Sequence, residues 1–368
     1  MSQRNWQVFI PPQCGVVVYA ESAPGQGKTA SLKALAAASR RRFLAFYLDQ
    51  ALPEDIGGVP APRSVEINGQ STDCIVKLLD ETLLRAKLEP SLVLLDELNQ
   101  ASHSMMAACQ EWLNVPPENA WVFACGNPIE QASNAVEFTP PLVNRICVVP
   151  WQRPSEERRA GWRNGFKDYP AQTFPIVSPD YLDASGAYWG ELLCQFEDEH
   201  PGLFGDEAFP KDIAMASKPW PSDRSWTNAG KLLAACDDVG ANPEVRHQLI
   251  AGCVGEPAAA QFQRWLVEQR LPDPEEILAA PHTLKLSPRF DANRALMHAI
   301  LGRLKANGTP QRWEAGYDVL EVAYGQHPEL ALSAEGALWR CKPQGYNPRI
   351  RNGVAQEIRK LRLATNNA

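Results

Sequence analysis

Long apolar runs are absent from this sequence: none of its 368 residues belongs to a continuous apolar stretch long enough to cross a membrane, which takes about 20 residues. The first residues, MSQRNWQVFIPPQ, lack the apolar core of a secretion signal. We therefore expect neither a membrane protein nor one exported by a signal peptide. With 45% hydrophobic and 21% charged residues, the composition is typical of a globular protein, and we expect a cytoplasmic location.

Paired cysteines are also lacking. The nine cysteines are scattered without a C-x-x-C pair, and Cys125, Cys147 and Cys194 lie in apolar stretches. This usage predicts reduced core thiols and argues against a disulfide framework or a zinc site. The acidic residues 197–199 precede His200, but no second histidine follows at helical spacing, so a solvated helix end is favoured over a metal cluster.

A surplus of basic residues is lacking as well, because the formal net charge is −7. This charge argues against a chain built mainly to coat nucleic acid. Near the C-terminus, basic residues nevertheless outnumber the single acid Glu357; they are Arg340, Lys342, Arg349, Arg351, Arg359, Lys360 and Arg362. A solvated basic helix is the favoured interpretation, with an acidic partner, a neighbouring subunit or nucleic acid as alternatives.

The first motif is the stretch AESAPGQGKTA at residues 20–30. A β-branched apolar run precedes it at residues 15–19, and an Ala/Leu/Lys-rich run follows it at residues 30–39. This order predicts a buried strand, a phosphate-binding loop and a helix. Ser22 stands where the pattern G-x-x-x-x-G-K-[ST] has its first glycine, and serine fits there if its φ stays negative. The alternative is a glycine-rich turn that binds no ligand.

The residue types in this loop suit a triphosphate bound with Mg²⁺. Gly25 and Gly27 let backbone N–H groups surround the phosphates, Lys28 reaches the β and γ oxygens, and the Thr29 hydroxyl holds the metal. The candidate nucleotide-binding residues are Ala23, Pro24, Gly25, Gln26, Gly27, Lys28, Thr29 and Ala30.

The second motif, SLVLLDELNQA at residues 91–101, carries four apolar residues directly into Asp96 and Glu97. Two carboxylates at the end of a buried strand are costly unless they meet a cation or solvent. The carboxyl end of a strand is where ligands bind in doubly wound α/β sheets. Asp96 is therefore a candidate for holding Mg²⁺ and Glu97 for activating water. Acids that merely begin the next turn are the alternative.

Two further polar residues follow apolar runs in the same way. Residues 121–125 predict a buried strand, and Asn127 follows it with an amide that can both donate to and accept from a water or phosphate. Arg145 ends a short predicted helix, just before an apolar run at residues 146–149. The ordinary interpretations are a strand-ending Asn-Pro turn and a solvated arginine.

The remaining pattern completes an α/β order. Residues 43–48 predict a second buried strand, and Asn68-Gly69 predicts the turn of a small hairpin. Apolar residues at helical spacing predict helices over residues 72–88 and 102–113. Beyond residue 154 the sequence becomes mainly helical.

Taken in order, APGQGKT, LLDELNQAS, ACGNP and PPLVNRI resemble the Walker A loop, Walker B strand, sensor 1 and arginine-finger segments of AAA+ ATPases. DELNQAS resembles the MoxR branch in particular. The segment WPSDRSW at residues 220–226 is similar to the start of the sensor 2 helix in MoxR-like ATPases. GCVGEPAAAQFQRWL and LPDPEEIL resemble a subgroup whose members are often paired with von Willebrand A-domain proteins. The resemblance covers roughly residues 10–280.

The resemblance implies an α/β fold: an AAA+ P-loop αβα core with a parallel sheet, an α-helical lid and a helical C-terminal extension with a basic tail. The implied boundaries are 1–150 for the nucleotide-binding domain, 151–280 for the lid and 281–368 for the extension. It also implies ATP as the nucleotide and Mg²⁺ held by Thr29 and Asp96.

The other functional residues follow from the same resemblance. Glu97 would activate water, and Asn127 would be the sensing polar residue. Arg145 would be a finger inserted into a neighbouring subunit's site, and Arg224 would be the lid arginine that reports on the γ-phosphate. A finger that acts in trans implies a homo-oligomer, and the MoxR likeness implies a hexamer.

One departure from the family concerns the substrate path. Only a short segment, residues 114–120, separates the helix after the Walker B strand from the sensor 1 strand, and this leaves little room for the hairpin that MoxR relatives carry there. If a pore element exists, residues 55–70 are the candidate.

The leading hypothesis is a motor that hydrolyses ATP to remodel a protein partner, with a von Willebrand A-domain protein as one such partner. A nucleotide-dependent switch or scaffold and a DNA-directed remodeller stay open as alternatives, the latter with only the basic tail to support it. A P-loop kinase is disfavoured because a glutamate directly after Asp96 suits water activation. A GTPase is disfavoured because no N-K-x-D motif occurs.

Overall fold

The structure is a computed structural model that describes residues 5–131, 135–153, 155–164, 174–269, 272–287 and 290–348. Within these ranges the chain has an α/β fold in which seven strands form two sheets. The strands are β1 Val17–Glu21, β2 Arg42–Tyr47, β3 Val59–Ile67, β4 Gln70–Leu78, β5 Ser91–Asp96, β6 Ala120–Gly126 and β7 Ile146–Pro150.

Helices connect the strands in the first half and make up nearly all of the second. The helices of the first half are α1 Trp6–Phe9, α2 Lys28–Ala38, α3 Pro53–Gly57, α4 Glu81–Leu88, α5 His103–Asn114 and α6 Pro140–Val143. Those of the second half are α7 Ser155–Asn164, α8 Pro179–Glu199, α9 Ile213–Ala216, α10 Asp223–Val239, α11 Pro243–Val254, α12 Glu256–Gln269, α13 Pro274–Ala279, α14 Phe290–Ala306, α15 Pro310–Gln326 and α16 Pro328–Arg340.

The larger sheet is parallel, with the strand order β2-β5-β6-β1-β7. Successive side chains of β1 enter opposite clusters: Val18 and Ala20 are buried on one face, Val17 and Tyr19 on the other. Burial on both faces is characteristic of parallel sheets and explains the nearly continuous apolar runs. Because all five strands point the same way, the carboxyl ends of β5, β6 and β1 lie side by side.

The helices of the second half share a core with one face of this sheet. Leu192 of α8, Leu232 of α10, Ile250 of α11 and Phe262 of α12 are buried in the same cluster as the sheet residues. A separate cluster is formed by residues of α13–α16 and the turn before α14. The division of the chain at residues 150 and 280 stays a prediction.

The expected helix over residues 72–88 is wrong in its first half. Asn68 and Gly69 have φ of 54° and 78°, the pair of positive values that a tight hairpin turn requires, so the predicted turn is confirmed. It pairs β3 with β4 along their full length, from Val59↔Leu78 to Ile67↔Gln70. The helix α4 begins only after Asp80, whose carboxylate accepts from the backbone N–H of Thr82.

The structure also bears on the predicted start of the first strand, the connection between α5 and β6, and the expected absence of a membrane-spanning helix. The strand expected at residues 15–19 begins at Val17, because Gly15 with φ of 70° ends a 3₁₀ turn. The short connection between α5 and β6 is confirmed, since it comprises only residues 115–119. The basic residues from Arg349 to Arg362 lie outside the described part. Across the described part, no helix is both long and apolar enough to cross a bilayer.

Candidate nucleotide site

The loop between β1 and α2 has the backbone that close phosphate contact needs. Gly25 and Gly27 have φ of 73° and 80°, in the left-handed region that favours glycine. Gly27 is the N-cap of α2, so the free N–H groups of the helix start lie at the loop. Ser22 is not one of the four non-glycine residues with positive φ in the described ranges. The condition for a serine in place of the first glycine is therefore met.

Lys28 lies folded back on this loop. Its Nζ donates to the backbone oxygen of Ser22 at 3.2 Å and to the Ser22 hydroxyl at 3.1 Å. The side chain is buried, with 9% of the residue exposed, and a buried ammonium is costly without an anion. Trp151, directly after β7, fixes the loop from the other side by donating its indole N–H to the Gln26 oxygen at 3.1 Å. No pattern in the sequence indicates this contact of Trp151.

Asp96 lies at the end of β5 and faces the same loop. Burial and the neighbouring Glu97 raise the pKa of its carboxyl, while the charge of Lys28 and a hydrogen bond from the Thr29 side chain oppose that rise. A hydroxyl and a carboxylate side by side are the hard oxygen donors that Mg²⁺ prefers. Thr29 and Asp96 therefore fit a Mg²⁺ ion beside phosphates that Lys28 would contact.

Glu97 is held in an unusual conformation beside Asp96. Its φ and ψ of 56° and 40° are left-handed, which costs a non-glycine residue about 1–3 kcal/mol and recurs at functional sites. Its two carboxylate oxygens accept from Asn127 Nδ2 at 2.8 and 2.9 Å, and Oε2 also accepts from Gln100. The strand-end amide and the candidate base are thus in direct contact.

A second layer supports Asn127 from behind. Asn99 Nδ2 donates to the Asn127 backbone oxygen at 2.7 Å. A Cβ on Gly126 would lie 2.1 Å from the Tyr19 hydroxyl and 2.3 Å from Asn99 Oδ1, so only glycine fits there. Asn99 and Gln100 belong to the motif DELNQAS, but no role for either residue was predicted. Their position directly after the end of a strand is the signal that could have indicated one.

Arg145 and Arg224 lie together in a cavity of about 540 Å³, which we call the arginine cavity. Burial and the charge of Arg224 lower the pKa of Arg145, so the two guanidinium groups repel each other. Arg145 donates to the Pro141 oxygen through one terminal nitrogen, but its buried Nε has no hydrogen-bond partner among the described residues. The indole nitrogen of Trp220, which also lines the cavity, is likewise buried without a partner in that part of the chain.

The start of α10 sets this arrangement. Ser222 and Ser225 form a capping box in which each side chain accepts from the other's backbone N–H, at 3.1 and 2.8 Å. The Ser222 hydroxyl also donates to Asn144 Oδ1, next to Arg145. These bonds hold the first turn of α10, and with it Arg224, against the segment that carries Arg145.

The structure thus divides the predicted residues into two groups. Lys28, Thr29, Asp96, Glu97 and Asn127 come together at the carboxyl ends of β1, β5 and β6. Arg145 and Arg224 form the other group, and the arginine cavity is lined by no residue of the first group.

Neither a protein-family model nor a curated protein matches the chain. Among solved structures, the chain is similar to a 2.00 Å crystal structure described as a "putative ATPase" from Cytophaga hutchinsonii. The two are 16% identical, with a TM-score of 0.41, and the similarity covers 72% of this chain and 86% of that one. A likeness at this level assigns no activity to the chain.

Proposed function

We propose that the chain hydrolyses ATP at the site formed by the β1–α2 loop, Asp96, Glu97 and Asn127. The observation that carries this proposal is the contact of Asn127 with both carboxylate oxygens of Glu97, directly beside an Asp96 that bonds Thr29 and faces Lys28. A metal ligand, a base and a phosphate-binding lysine are the components that hydrolysis of a phosphoanhydride needs.

Each residue has a defined task in this reaction. Lys28 leaves Ser22 and pairs with the β and γ oxygens, while Thr29 and Asp96 hold Mg²⁺, which when bound supplies positive charge against the phosphates. Glu97 accepts a proton from water as the water oxygen bonds to the γ-phosphorus and the bond to the ADP oxygen breaks. Asn127 orients the Glu97 carboxylate throughout.

The arginine cavity supports a shared site as the second part of the proposal. Its guanidinium groups repel each other, and Arg145 Nε has no acceptor within the described part of the chain, although the carboxylates of Asp206 and Asp223 also line the cavity. An anion held between the two arginines would relieve their repulsion. We propose that this anion is the nucleotide of a neighbouring copy, so that Arg145 and Arg224 complete that copy's site. The MoxR resemblance makes a hexameric ring the proposed assembly.

The β3–β4 hairpin supports a protein as the substrate of the motor. Its cross-strand pairs place apolar residues along one face, and none of them is buried; they are Val59, Ala61, Val65, Ile67, Cys74, Val76 and Leu78. A two-stranded ribbon is marginally stable alone, and uncovered apolar area is typical of protein contact. Remodelling of a protein, with a von Willebrand A-domain protein as the partner implied by the subgroup resemblance, is therefore the proposed role, in the cytoplasm.

A nucleotide-dependent switch is the second candidate, and one observation favours it. Asn127 and Gln100 together occupy both oxygens of Glu97 in the nucleotide-free chain. Three of the roughly four lone-pair sites of this carboxylate are therefore in use, which leaves one on Oε1 to accept a proton from water. A chain in which bound ATP kept water away from that site would act as a switch rather than as a motor.

The proposal is tested by phosphate release from ATP and Mg²⁺ at increasing concentrations of the purified chain. We expect turnover per chain to rise with concentration as copies associate, and Lys28→Ala to abolish it. Lys33→Ala, on the exposed face of α2, is the matched control and should behave like the wild type. Absence of phosphate release at every concentration, or full activity of Lys28→Ala, would refute the proposal. A chain that turns over at full speed as a monomer would refute its ring.

A further inference from the structure

A second cavity lies at the carboxyl end of β1, where Tyr19, Glu21 and Asn99 line it. It has a volume of about 280 Å³ and shares no lining residue with the arginine cavity. Three carboxylates line it, from Glu21, Glu130 and Glu137, against the one ammonium of Lys218. We call it the acidic cavity, because these side chains carry a formal charge of −2 when ionised.

Two buried oxygens at this cavity lack hydrogen bonds. The Tyr19 hydroxyl and Asn99 Oδ1 have no partner in the described part of the chain, and each residue is only 2% exposed. Both residues line the acidic cavity, and both oxygens lie within 2.3 Å of the point that a Cβ on Gly126 would occupy. A buried polar group without a partner costs about 1–3 kcal/mol, so a donor that served both oxygens would be stabilising.

The charges and walls define the class of that donor. Burial and the neighbouring Glu130 raise the pKa of Glu21, and the charge of Lys28 only partly opposes that rise, so the Glu21 and Glu130 carboxylates repel each other. Phe138 packs edge-on against Tyr19 with ring centroids 4.8 Å apart, and Val136 and Val148 add apolar wall. A bare metal ion would gain nothing from these walls, whereas an alkyl chain would pack on them.

We propose that the acidic cavity binds a primary alkylammonium group. Its charge pairs with the carboxylates and its alkyl chain packs on Phe138. Because the Tyr19 oxygen and Asn99 Oδ1 are closed to solvent in the free chain, both side chains turn toward the ammonium group to accept its N–H donors. The same chemistry is offered by a free diamine and by a lysine side chain of a protein partner.

Asn99 connects the acidic cavity to the residues of the proposed reaction. Asn99 accepts from the ammonium through Oδ1 and donates through Nδ2 to Asn127, which holds Glu97. Occupation of the acidic cavity therefore fixes the orientation of the Asn99 amide and the position of Asn127. This inference goes beyond ATP hydrolysis, because the binding itself requires neither nucleotide nor a ring.

The test is calorimetric titration of the nucleotide-free full chain with pentane-1,5-diamine at constant ionic strength. We expect saturable binding of one diamine per chain and no comparable binding of tetramethylammonium, which has the charge but no N–H donor. Tyr19→Phe and the double variant Glu130→Gln with Glu137→Gln should each weaken binding at least tenfold. The matched control Glu118→Gln, at an exposed glutamate outside the cavity, should leave it unchanged.

A second titration distinguishes the two sources of the ammonium group. A lysine-containing peptide that binds at least tenfold more tightly than the diamine, and loses binding when its lysine is acetylated, identifies a protein partner. Equal or tighter binding of the diamine identifies a free amine. The proposal is overturned if no saturable binding occurs, if tetramethylammonium binds equally well, or if the correctly folded cavity variants bind the diamine like the wild type. Thermal unfolding of each variant establishes that it is folded.

Discussion

The loop site and the arginine cavity differ in how well their charged groups are satisfied. At the loop, Lys28 bonds to Ser22, Asp96 bonds to Thr29, and Glu97 is held by Asn127. In the arginine cavity, the charges of two guanidinium groups repel each other, and the buried Nε of Arg145 has no acceptor among the residues that the structure describes. The charged groups of the loop site have hydrogen-bond partners within the chain, whereas Arg145 and Arg224 repel each other.

This difference supports the proposal that the two regions are complementary halves of one site shared between copies. The loop site supplies the phosphate contacts, metal ligands and base, but no guanidinium group. The arginine cavity supplies two guanidinium groups, beside the carboxylates of Asp206 and Asp223, and the Ser222–Asn144 bond holds the segments that carry them together. A single copy would keep the halves apart, and two adjacent copies would join them.

The largest expected effect is on the arginine side. Arg145→Ala should lower ATP turnover by about 10³–10⁵-fold, the range that an arginine finger contributes to phosphoryl transfer, while ATP binding at the intact loop persists. Steady-state phosphate release and nucleotide titration measure the two quantities. Arg264→Ala, an exposed arginine of α12 that does not line the arginine cavity, should match the wild type. Full turnover by Arg145→Ala would show that the arginine cavity has no part in ATP hydrolysis.

The next effect is on the loop side. Glu97→Gln should lower turnover by about 10²–10⁴-fold, since the amide cannot accept the proton from water. ATP binding and assembly should persist, because Lys28, Thr29 and Asp96 are unchanged. The measurements are phosphate release and light scattering with ATP, with Glu118→Gln as the control. Unchanged turnover would exclude Glu97 as the base, and an unchanged cellular role of the inactive variant would favour the switch.

A smaller effect tests the rigidity of the loop side. Gly126→Ala places a Cβ against the Tyr19 hydroxyl and Asn99, and overpacking of this kind costs about 1–3 kcal/mol of unfolding free energy. Gly190→Ala in α8 is the matched control, because its Cβ meets nothing within 4 Å, and it should be neutral or stabilising by up to about 1 kcal/mol. Urea unfolding measures both. Equal stability of the two variants would contradict the close packing behind Asn127.

The smallest effect concerns pH. Burial raises the pKa of Asp96, so its ionised form destabilises the nucleotide-free fold at pH values above that raised pKa. Asp96→Asn should therefore raise Tm at neutral pH by roughly 1–4 °C, an effect kept small by solvent screening. The gain should vanish as the pH falls through the raised pKa, because the wild-type carboxyl is then neutral. Thermal scans across pH measure this, and a lower Tm for the variant at neutral pH would contradict it.

The sequence was most informative where apolar strands end in polar residues. Asp96 and Asn127 follow apolar runs, and the parallel order of the sheet brings those ends beside the loop after β1. The local sequence pattern was sufficient to predict that these residues lie close together, because the strands of a parallel sheet bring their carboxyl ends to the same edge. The roles assigned to these residues stay predictions until activity is measured.

Contacts between segments that are distant along the chain could not be predicted from the sequence. The Ser222–Asn144 bond joins residues 78 positions apart, and no periodicity encodes it. Tyr19 and Asn99 can pack this closely against Gly126 only because glycine has no Cβ. The strand β4 was misread as helix because Ile75, Leu78 and Leu79 suit helical spacing as well, and only pairing with β3 decides between the two.

The most direct measurement mixes Arg145→Ala with Lys28→Ala. Each variant alone should release almost no phosphate, since one lacks the finger and the other lacks the phosphate-binding lysine. In the mixture, a Lys28→Ala copy lends its intact Arg145 to a neighbour whose loop is intact, and we predict that turnover reappears and depends on the mixing ratio. A mixture that stays as inactive as its components, although the two variants assemble together, would contradict a site shared between copies.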